Sequence, residues 1–468
     1  MAHRFLSALA RVANARPIMR PGLLAPGTLA PAAPSATSAS RHDRRRSLWA
    51  NIAEGAVAEV FVACATGAVV TGWALYLGAD ATTIGALGAI PVASQIMNLP
   101  AGWWTSRVDR RRLAIVSLTL ARLVWAPMAL VPAFGVEAAV ALKMLVAITL
   151  ASGALTVVGT NAWSAWVGDL VPARIRGRFF GVRTAWLTGA GAVAALGTAA
   201  LLDGTDDPAP ALAILSAVAA ATGVASGVFL ALQVDPGHGQ RHPGDLRDFL
   251  DVLRHPQARD FLLYQLAWGA AIAPAACFWA LHVLDSLALG FSFLAMHGLI
   301  VATSRIATAN MWGRYVQRHG ARRALALCSM GIAAMPLLWA MSTPEAWWPL
   351  LLDAVVAGVL WGGHGIASLD WPLAVSPRKQ RPFFLAAFAA AAGVGFALAA
   401  LASASVVEVA GAPIVRTLFV VSALGRFSCG LWALRLHETA TRPALAPRSH
   451  PKRGTRAPTA RGVGWGGG

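Results

Sequence analysis

The stretch Ala138–Thr160, AAVALKMLVAITLASGALTVVGT, carries one charge, Lys143, close to its start, and is apolar on every side. About 20 mostly apolar residues wound as a helix cross the hydrocarbon core of a bilayer. A strand of a membrane barrel would instead alternate apolar and polar positions, which this stretch does not. It reads as a transmembrane helix. Comparable runs occupy Ile115–Ala133 and Ala346–Leu369. Extended along the chain, the same reasoning places six spans near 49–77, 82–104, 113–133, 137–163, 184–202 and 209–232, and six more near 260–284, 287–311, 324–342, 346–370, 383–407 and 414–435. Composition agrees: 57% of the 468 residues are hydrophobic, 13% are charged and the mean hydropathy is +0.58. A soluble domain carries about 25% charged residues. The expected fold class is an all-α membrane protein of about twelve transmembrane helices in two six-helix bundles.

The net charge of +18 would suit a nucleic-acid binder, but its distribution argues otherwise. Alternate loops hold Arg107, Arg110, Arg111 and Arg112, then Arg174, Arg176, Arg178 and Arg183. The series continues with Arg241, Arg247, Arg254 and Arg259, with Arg314, Arg318, Arg322 and Arg323, and with Arg378, Lys379 and Arg381. The intervening loops hold Asp80, Glu137, Asp203, Asp206, Asp207, Asp285, Glu345 and Glu408 with almost no base. Basic loops stay cytoplasmic. Both termini are therefore expected inside, and no nucleic-acid partner is needed to explain the charge. The organisation that follows is a disordered basic arm over 1–47, a six-helix bundle over 48–233, a cytoplasmic loop over 234–259, a second bundle over 260–436 and a disordered basic tail over 437–468. The expected location is a bacterial inner membrane, with lipid as the surrounding partner and a monomer as the working unit. Cys64, Cys277, Cys328 and Cys429 are scattered in apolar runs without a CxxC or Cys/His cluster, so neither disulfides nor a metal site is suggested. No P-loop, GxSxG or HExxH occurs, so an ATP-driven pump or a hydrolase is disfavoured and no cofactor is implied.

The two halves echo each other. Trp166-x5-Pro172-x3-Arg176 followed by Phe179 recurs as Trp371-x5-Pro377-x3-Arg381 followed by Phe384, and Gly88 with Ser94-Gln95-Ile96 recurs as Gly298 with Ser304-Arg305-Ile306. The matches fall in the same order after the same number of spans. Two parallel repeats of six spans place a cavity between the halves, and rocking of one half on the other exposes it to alternate sides.

Three segments resemble the major facilitator superfamily. Gly313-Arg314-Tyr315-Val316-Gln317-Arg318-His319-Gly320-Ala321-Arg322-Arg323 follows that family's G-x-x-x-D-R-x-G-x-R-R loop, with Gln317 in place of the Asp. The matching first-half loop, Thr105-Ser106-Arg107-Val108-Asp109-Arg110-Arg111-Arg112, keeps the acid and the bases but lacks both glycines. Asp169–Gly181 is similar to the family's P-x-x-x-R-G-R loop through Pro172, Arg176, Gly177 and Arg178. The resemblance covers residues 48–436. It implies a gating loop built on Asp109, Arg110 and Arg112 in the first half and on Gly313, Arg318, Gly320, Arg322 and Arg323 in the second, with Asp109 pairing across the halves. Thr188–Gly197 lacks the proline of the family's drug/proton antiporter stretch, which weakens a drug-efflux reading.

Charge inside the membrane costs a few kcal/mol or more and marks cavities or ion pairs. Span 1 carries Glu54 and Glu59, span 3 Arg122, span 10 Asp353 and His364, and span 12 Arg426. The resemblance implies that spans 1, 4, 7 and 10 line the cavity, which favours Glu59, Asp353 and His364 as cavity residues; with Glu54 and Arg122 they are the candidate substrate or proton sites. Low dielectric disfavours a charged carboxylate, and an imidazole titrates near neutrality unaided. Glu54 can reach the inner surface, and Arg122 suits a structural ion pair. Trp103, Trp104, Trp312, Trp347 and Trp348 lie at span ends, as an interfacial belt requires. The expected function is secondary transport of a small solute by alternating access, either facilitated or ion-coupled with the proton as the candidate ion; the competing expectation is a non-transporting assembly factor on the same fold.

Overall fold

The computed structural model describes residues 41–171, 173–235, 247–375, 381–411 and 413–436. Among these, no strand forms and twelve helices are long and apolar enough to cross a membrane. Spans 1 to 6 are Arg45–Tyr76, Ala81–Arg107, Arg110–Leu130, Ala138–Val167, Phe179–Asp203 and Pro208–Ala231. Spans 7 to 12 are Pro256–Ser286, Gly290–His319, Ala321–Met341, Pro349–Ser368, Phe383–Ala410 and Ile414–Ala433. Several of the turns between them are short and begin the next helix with an acid. Asp80 Oδ1 accepts from Thr83 N at 2.8 Å and Asp109 Oδ1 from Arg112 N at 2.8 Å. Each satisfies one of the backbone donors a helix start leaves unpaired. The Thr83 bonds hold the exposed Asp80 carboxyl below the usual carboxylate range. At the other end of a helix, His319 is followed by Gly320 at φ +83°, a left-handed conformation that a side chain resists.

The repeat in the sequence is also a repeat in packing. Spans 3 and 4 pair as spans 9 and 10 do, spans 1 and 5 as 7 and 11, spans 1 and 6 as 7 and 12, and spans 3 and 6 as 9 and 12. Close helix approach recurs at matching places. A Cβ added to Gly153 of span 4 would meet Ser94 of span 2, and one added to Gly358 of span 10 would meet Ser304 of span 8. Arg111 Nη2 donates to Ala231 O at 2.7 Å, at the carboxyl end of span 6; Arg322 Nη1 donates to Leu434 O and Leu436 O at 3.5 Å, just past span 12. A cation beside helix-terminal carbonyls satisfies them and complements the helix dipole. In the first half the base that reaches the end of span 6 is Arg111, which stands between the gating-loop residues Arg110 and Arg112.

Three local expectations change. Residues 41–47, read as the end of a disordered arm, are helical and run straight into span 1. Asp43 sits in the first turn, where an acid favours a helix start, and Ser47 Oγ accepts from Val234 N at 2.9 Å, tying the segment to the end of span 6. The central loop is not wholly loop: Arg247–Arg254 is a helix packed on span 11 with Val252 fully buried. Trp312 is no interfacial anchor. It is buried, and its indole donates to Val359 O at 2.7 Å, joining span 8 to span 10, whereas Trp104, Trp347 and Trp348 are exposed as a belt requires. The four cysteines are free and buried. The arms 1–40 and 437–468 lie outside the described residues, as does Pro172. Arg176, Gly177 and Arg178 fall in the helix that leads into span 5, and their side chains are outside the description.

Candidate functional site

Helix breaks shape the space inside the first half. Span 1 is interrupted at Thr66-Gly67, where Gly67 takes φ +52°, a conformation open to glycine. Span 2 contains Pro91 and tightens into a 3-10 turn over Ser94–Met97, as a lost backbone donor and a ring clash dictate. Thr66, Gly67, Pro91 and Gln95 all line a cavity of about 660 Å³. Its walls come from spans 1 to 5, and Ala276, Cys277, Trp279, Ala280 and Leu294 of spans 7 and 8 close it from the other half. The lining mixes Val, Leu and Ile with Thr149, Ser152, Thr156, Thr160, Trp125 and Trp163, and it includes four charged residues: Glu54, Glu59, Arg122 and Arg183.

These four charges have unequal partners. Glu54 Oε1 is 3.0 Å from Arg122 Nη2 and accepts from Ser226 Oγ at 3.0 Å, with both charged side chains about 5% exposed. This buried pair joins spans 1, 3 and 6, and it is the structural ion pair that suits Arg122. Glu54 does not reach the surface. Arg183 Nε donates to Asn51 Oδ1 at 3.0 Å, its guanidinium lies 4.8 Å from the Trp163 ring centre, and Asn51 in turn donates to Gln233 Oε1 at 3.1 Å. Arg183 interacts electrostatically with both Glu54 and Glu59. Glu59 makes no hydrogen bond or ion pair at contact distance among the described residues. It is half-buried and lines both the large cavity and a neighbouring one.

The candidates in the second half are elsewhere. Asp353 has no exposed surface, and its Oδ2 lies 2.9 Å from His297 Nε2 of span 8. It also acts electrostatically on buried Arg426. His364 is buried, stacked on Trp268 with ring centres 4.5 Å apart, and close to Ser368 Oγ at 3.2 Å. Neither lines either cavity, and among the described residues span 10 contributes nothing to their walls. The expectation that Asp353 and His364 face the cavity is therefore corrected: aromatic rings and a second helix cover them. In the gating loop, Asp109 is engaged as the helix cap described above, and Arg110 Nη1 reaches Ala165 O of span 4 at 3.5 Å.

Two residues with clear roles in this geometry are not singled out by the sequence reading. Arg183 counts there with the basic loop because it stands a turn into span 5, so a boundary error of one turn hides it. His297 is an ionisable residue in an apolar run, and the rule that finds His364 finds it too.

On the face that carries the acidic loops, the halves are joined by hydrogen bonds. Asp203, ending span 5, accepts from Phe291 N at 2.9 Å and Ser292 N at 2.7 Å at the start of span 8. Thr82 Oγ1 of span 2 donates to Ala404 O of span 11 at 3.4 Å.

A sequence model of the Major Facilitator Superfamily matches residues 55–309. The chain belongs to the major facilitator superfamily. Solved structures with a similar fold include the nucleoside transporter NupG, at TM-score 0.62 and 16% identity, covering 84% of this chain and 98% of that one. A D-xylose-proton symporter aligns at TM-score 0.63 and 13% identity, over 84% of this chain and 97% of its own. The POT family transporter PepTSo aligns at TM-score 0.62 and 15% identity, over 84% and 96%. No curated protein sequence matches this chain. Membership in this superfamily makes the chain an integral multi-pass membrane carrier rather than an enzyme, and the shared fold is that of secondary transporters.

Proposed function

We propose that this superfamily member moves a small solute by alternating access and exchanges a proton at Glu59. One observation carries the proposal. Glu59 is a carboxylate in the membrane that opens on a cavity of about 660 Å³ without a contact partner among the described residues, whereas Glu54 and Asp353 are each held in a buried pair. A carboxylate at that depth without such a pair is costly, and it is suited to binding and releasing a proton or a cation. Arg183 supplies the opposing charge in the same cavity. The gating role of Asp109, Arg110, Arg112, Gly313, Arg318, Gly320, Arg322 and Arg323, and the loop Pro172, Arg176, Gly177 and Arg178, belong to the same proposal through the family resemblance, as do a monomeric unit and residence in a bacterial inner membrane.

The test uses proteoliposomes with a pH dye inside, challenged with a solute panel that begins with the nucleosides and D-xylose named for the fold neighbours. With a solute that is transported, Glu59→Gln removes pH-driven accumulation but keeps exchange of labelled for unlabelled solute, because Gln retains shape and hydrogen bonding without ionising. A mutant that still accumulates solute on a pH gradient rejects Glu59 as the carrier. Orientation is checked separately. A cysteine at Asp206 labels from outside intact cells, and one at Arg254 labels only after permeabilisation; the reverse pattern overturns the cytoplasmic placement of the termini.

A further inference from the structure

The central cavity holds two bases, and they are not equally committed. Arg122 pairs with Glu54 through one terminal nitrogen, and its other, Nη1, is buried. Arg183 uses Nε alone, which donates to Asn51. Neither of its terminal nitrogens makes a hydrogen bond or ion pair among the described residues. The side chain is held in place all the same. Asn51 has no exposed surface and is fixed in turn by Gln233, just past span 6, whose amide donates to Phe229 O at 3.3 Å. The guanidinium lies against the Trp163 ring of span 4. It also lies against Gly55 of span 1, where a Cβ would fall 2.7 Å from Nη2, so only glycine leaves room for it. Residues of spans 1, 4 and 6 thus brace an arginine of span 5 by its Nε and its ring-like plane, and its two forked nitrogens are left to the cavity. The charges around it follow the same division. Glu54 and Arg122 offset each other, which leaves Arg183 and Glu59 on the cavity without an ion pair between them. A Glu59 that has taken a proton leaves Arg183 as the uncompensated charge, which is costly at that depth. The wall contributed by spans 7 and 8 is Ala276, Cys277, Trp279, Ala280 and Leu294, with no charged residue.

We infer that Arg183 is an anion site and that the solute is a small organic acid, its carboxylate docked on the two terminal nitrogens and its apolar body against Trp279 and Leu294. A guanidinium fork matches a carboxylate through two parallel hydrogen bonds. One carboxylate balances one guanidinium. A phosphate dianion would bring a second negative charge, and the cavity has no second uncommitted base among the described residues. Apolar burial holds the rest of the molecule. Asn51 and Gln233 are positioning residues that keep the fork turned to the cavity. This names the solute class of the carrier reading and rests on it, with Glu59 as the neighbouring proton group.

The experiment measures binding of radiolabelled benzoate at neutral pH to the full chain in nanodiscs, with empty nanodiscs subtracted. Saturable binding is expected in the wild type, with competition from hexanoate and none from benzamide, which has the ring without the charge. Arg183→Gln weakens it at least about tenfold, as loss of one member of a desolvated charge pair does. Gly55→Ala keeps the charge but pushes the fork aside, and weakens it about threefold or more, the worth of one net hydrogen bond. It decides alone if Arg183→Gln is not monodisperse. Asn51→Ala weakens wild-type binding but adds nothing in an Arg183→Lys background, which has no Nε to brace; additive losses would reduce Asn51 to a packing role. Glu59→Gln keeps or tightens binding, since the anion then meets one negative charge fewer. Loss of binding in that variant would place the solute on Glu59 and overturn the assignment to Arg183. Benzamide competing as well as hexanoate, binding unchanged by both Arg183→Gln and Gly55→Ala, or no saturable binding of either acid also overturns it. Flux in proteoliposomes separates the two readings. Arg183-dependent benzoate binding, with Glu59→Gln still accumulating solute on a pH gradient, rejects the proton carrier and upholds the anion site. Glu59-dependent accumulation of a neutral solute by a protein that binds neither acid rejects the anion site alone.

Discussion

Glu59 and Asp353 are both acids set within long apolar helices, and a hydropathy scan treats them alike. The fold does not. In the first six spans, breaks at Gly67 and Pro91 hold the helices apart, and Glu59 opens into the space they leave. In the last six, Asp353 is enclosed between spans 8, 10 and 12 with His297 on one oxygen and Arg426 near by. His364 is enclosed in the same half by Trp268 and Trp361. The halves share a packing plan yet differ in one respect: the first presents Glu59 to a cavity while tying Glu54 to Arg122, whereas Asp353 and His364 of the second are enclosed. Charge in the membrane marks either a site or a tie, and the neighbouring helix decides which.

The largest expected effect tests the tie. Asp353→Ala leaves His297 and Arg426 buried without their acid, and breaking a buried pair by removing one partner costs about 3–5 kcal/mol. The expected outcome is a large fall in the thermal unfolding midpoint or loss of folded protein, while Glu59→Gln, which breaks no contact pair, unfolds near the wild-type temperature. Equal midpoints for the two variants would erase the distinction drawn between the halves.

A smaller effect is expected where the halves meet. Asp203→Ala removes two charge-assisted hydrogen bonds to the start of span 8. A net loss of about 1–2 kcal/mol shifts the balance between closed and open forms of the acidic-loop face by about tenfold. Spin labels at Thr205 and Leu289 should report a longer distance or a second population. An unchanged distance distribution would mean that apolar packing alone closes this face.

The smallest effect on stability, and the sharpest on mechanism, is expected at Asp109. Asn caps a helix about as well as Asp, so Asp109→Asn keeps the cap on span 3 and shifts stability by less than about 0.5 kcal/mol. If Asp109 also pairs across the halves when the chain turns over, exchange slows in this variant. Wild-type exchange would reduce Asp109 to a cap and leave the gating loop of the first half without its acid.

Most of the fold was legible because its causes are local. A helix must satisfy its own backbone polar groups in lipid, so a long apolar run has one answer, and its limits follow from length. The repeat was legible because Trp166 and Trp371, with the residues after them, keep the same spacing. Less of the site was legible. Glu54, Glu59 and Arg122 do line the cavity, but Asp353 and His364 do not, and Arg183 belongs by sequence to a loop that ends a turn before it. Nothing in the spacing of Asp203 among its acidic neighbours distinguishes it from Asp206 or Asp207.

The amino-acid sequence by itself determined the number of spans, their order, the one-sided placement of the bases and the family, because hydropathy, charge and short loop motifs act within a few residues along the chain. Only the tertiary structure decided which buried charge faces space and which faces a partner. That depends on residues far apart in sequence, such as Glu54 with Arg122 and Ser226, or His297 with Asp353. It depends equally on where small residues bring helices together, as at Gly88, or leave them apart, as at Gly298. Packing between helices is a matter of shape in three dimensions, and a linear pattern of apolar residues carries no record of it.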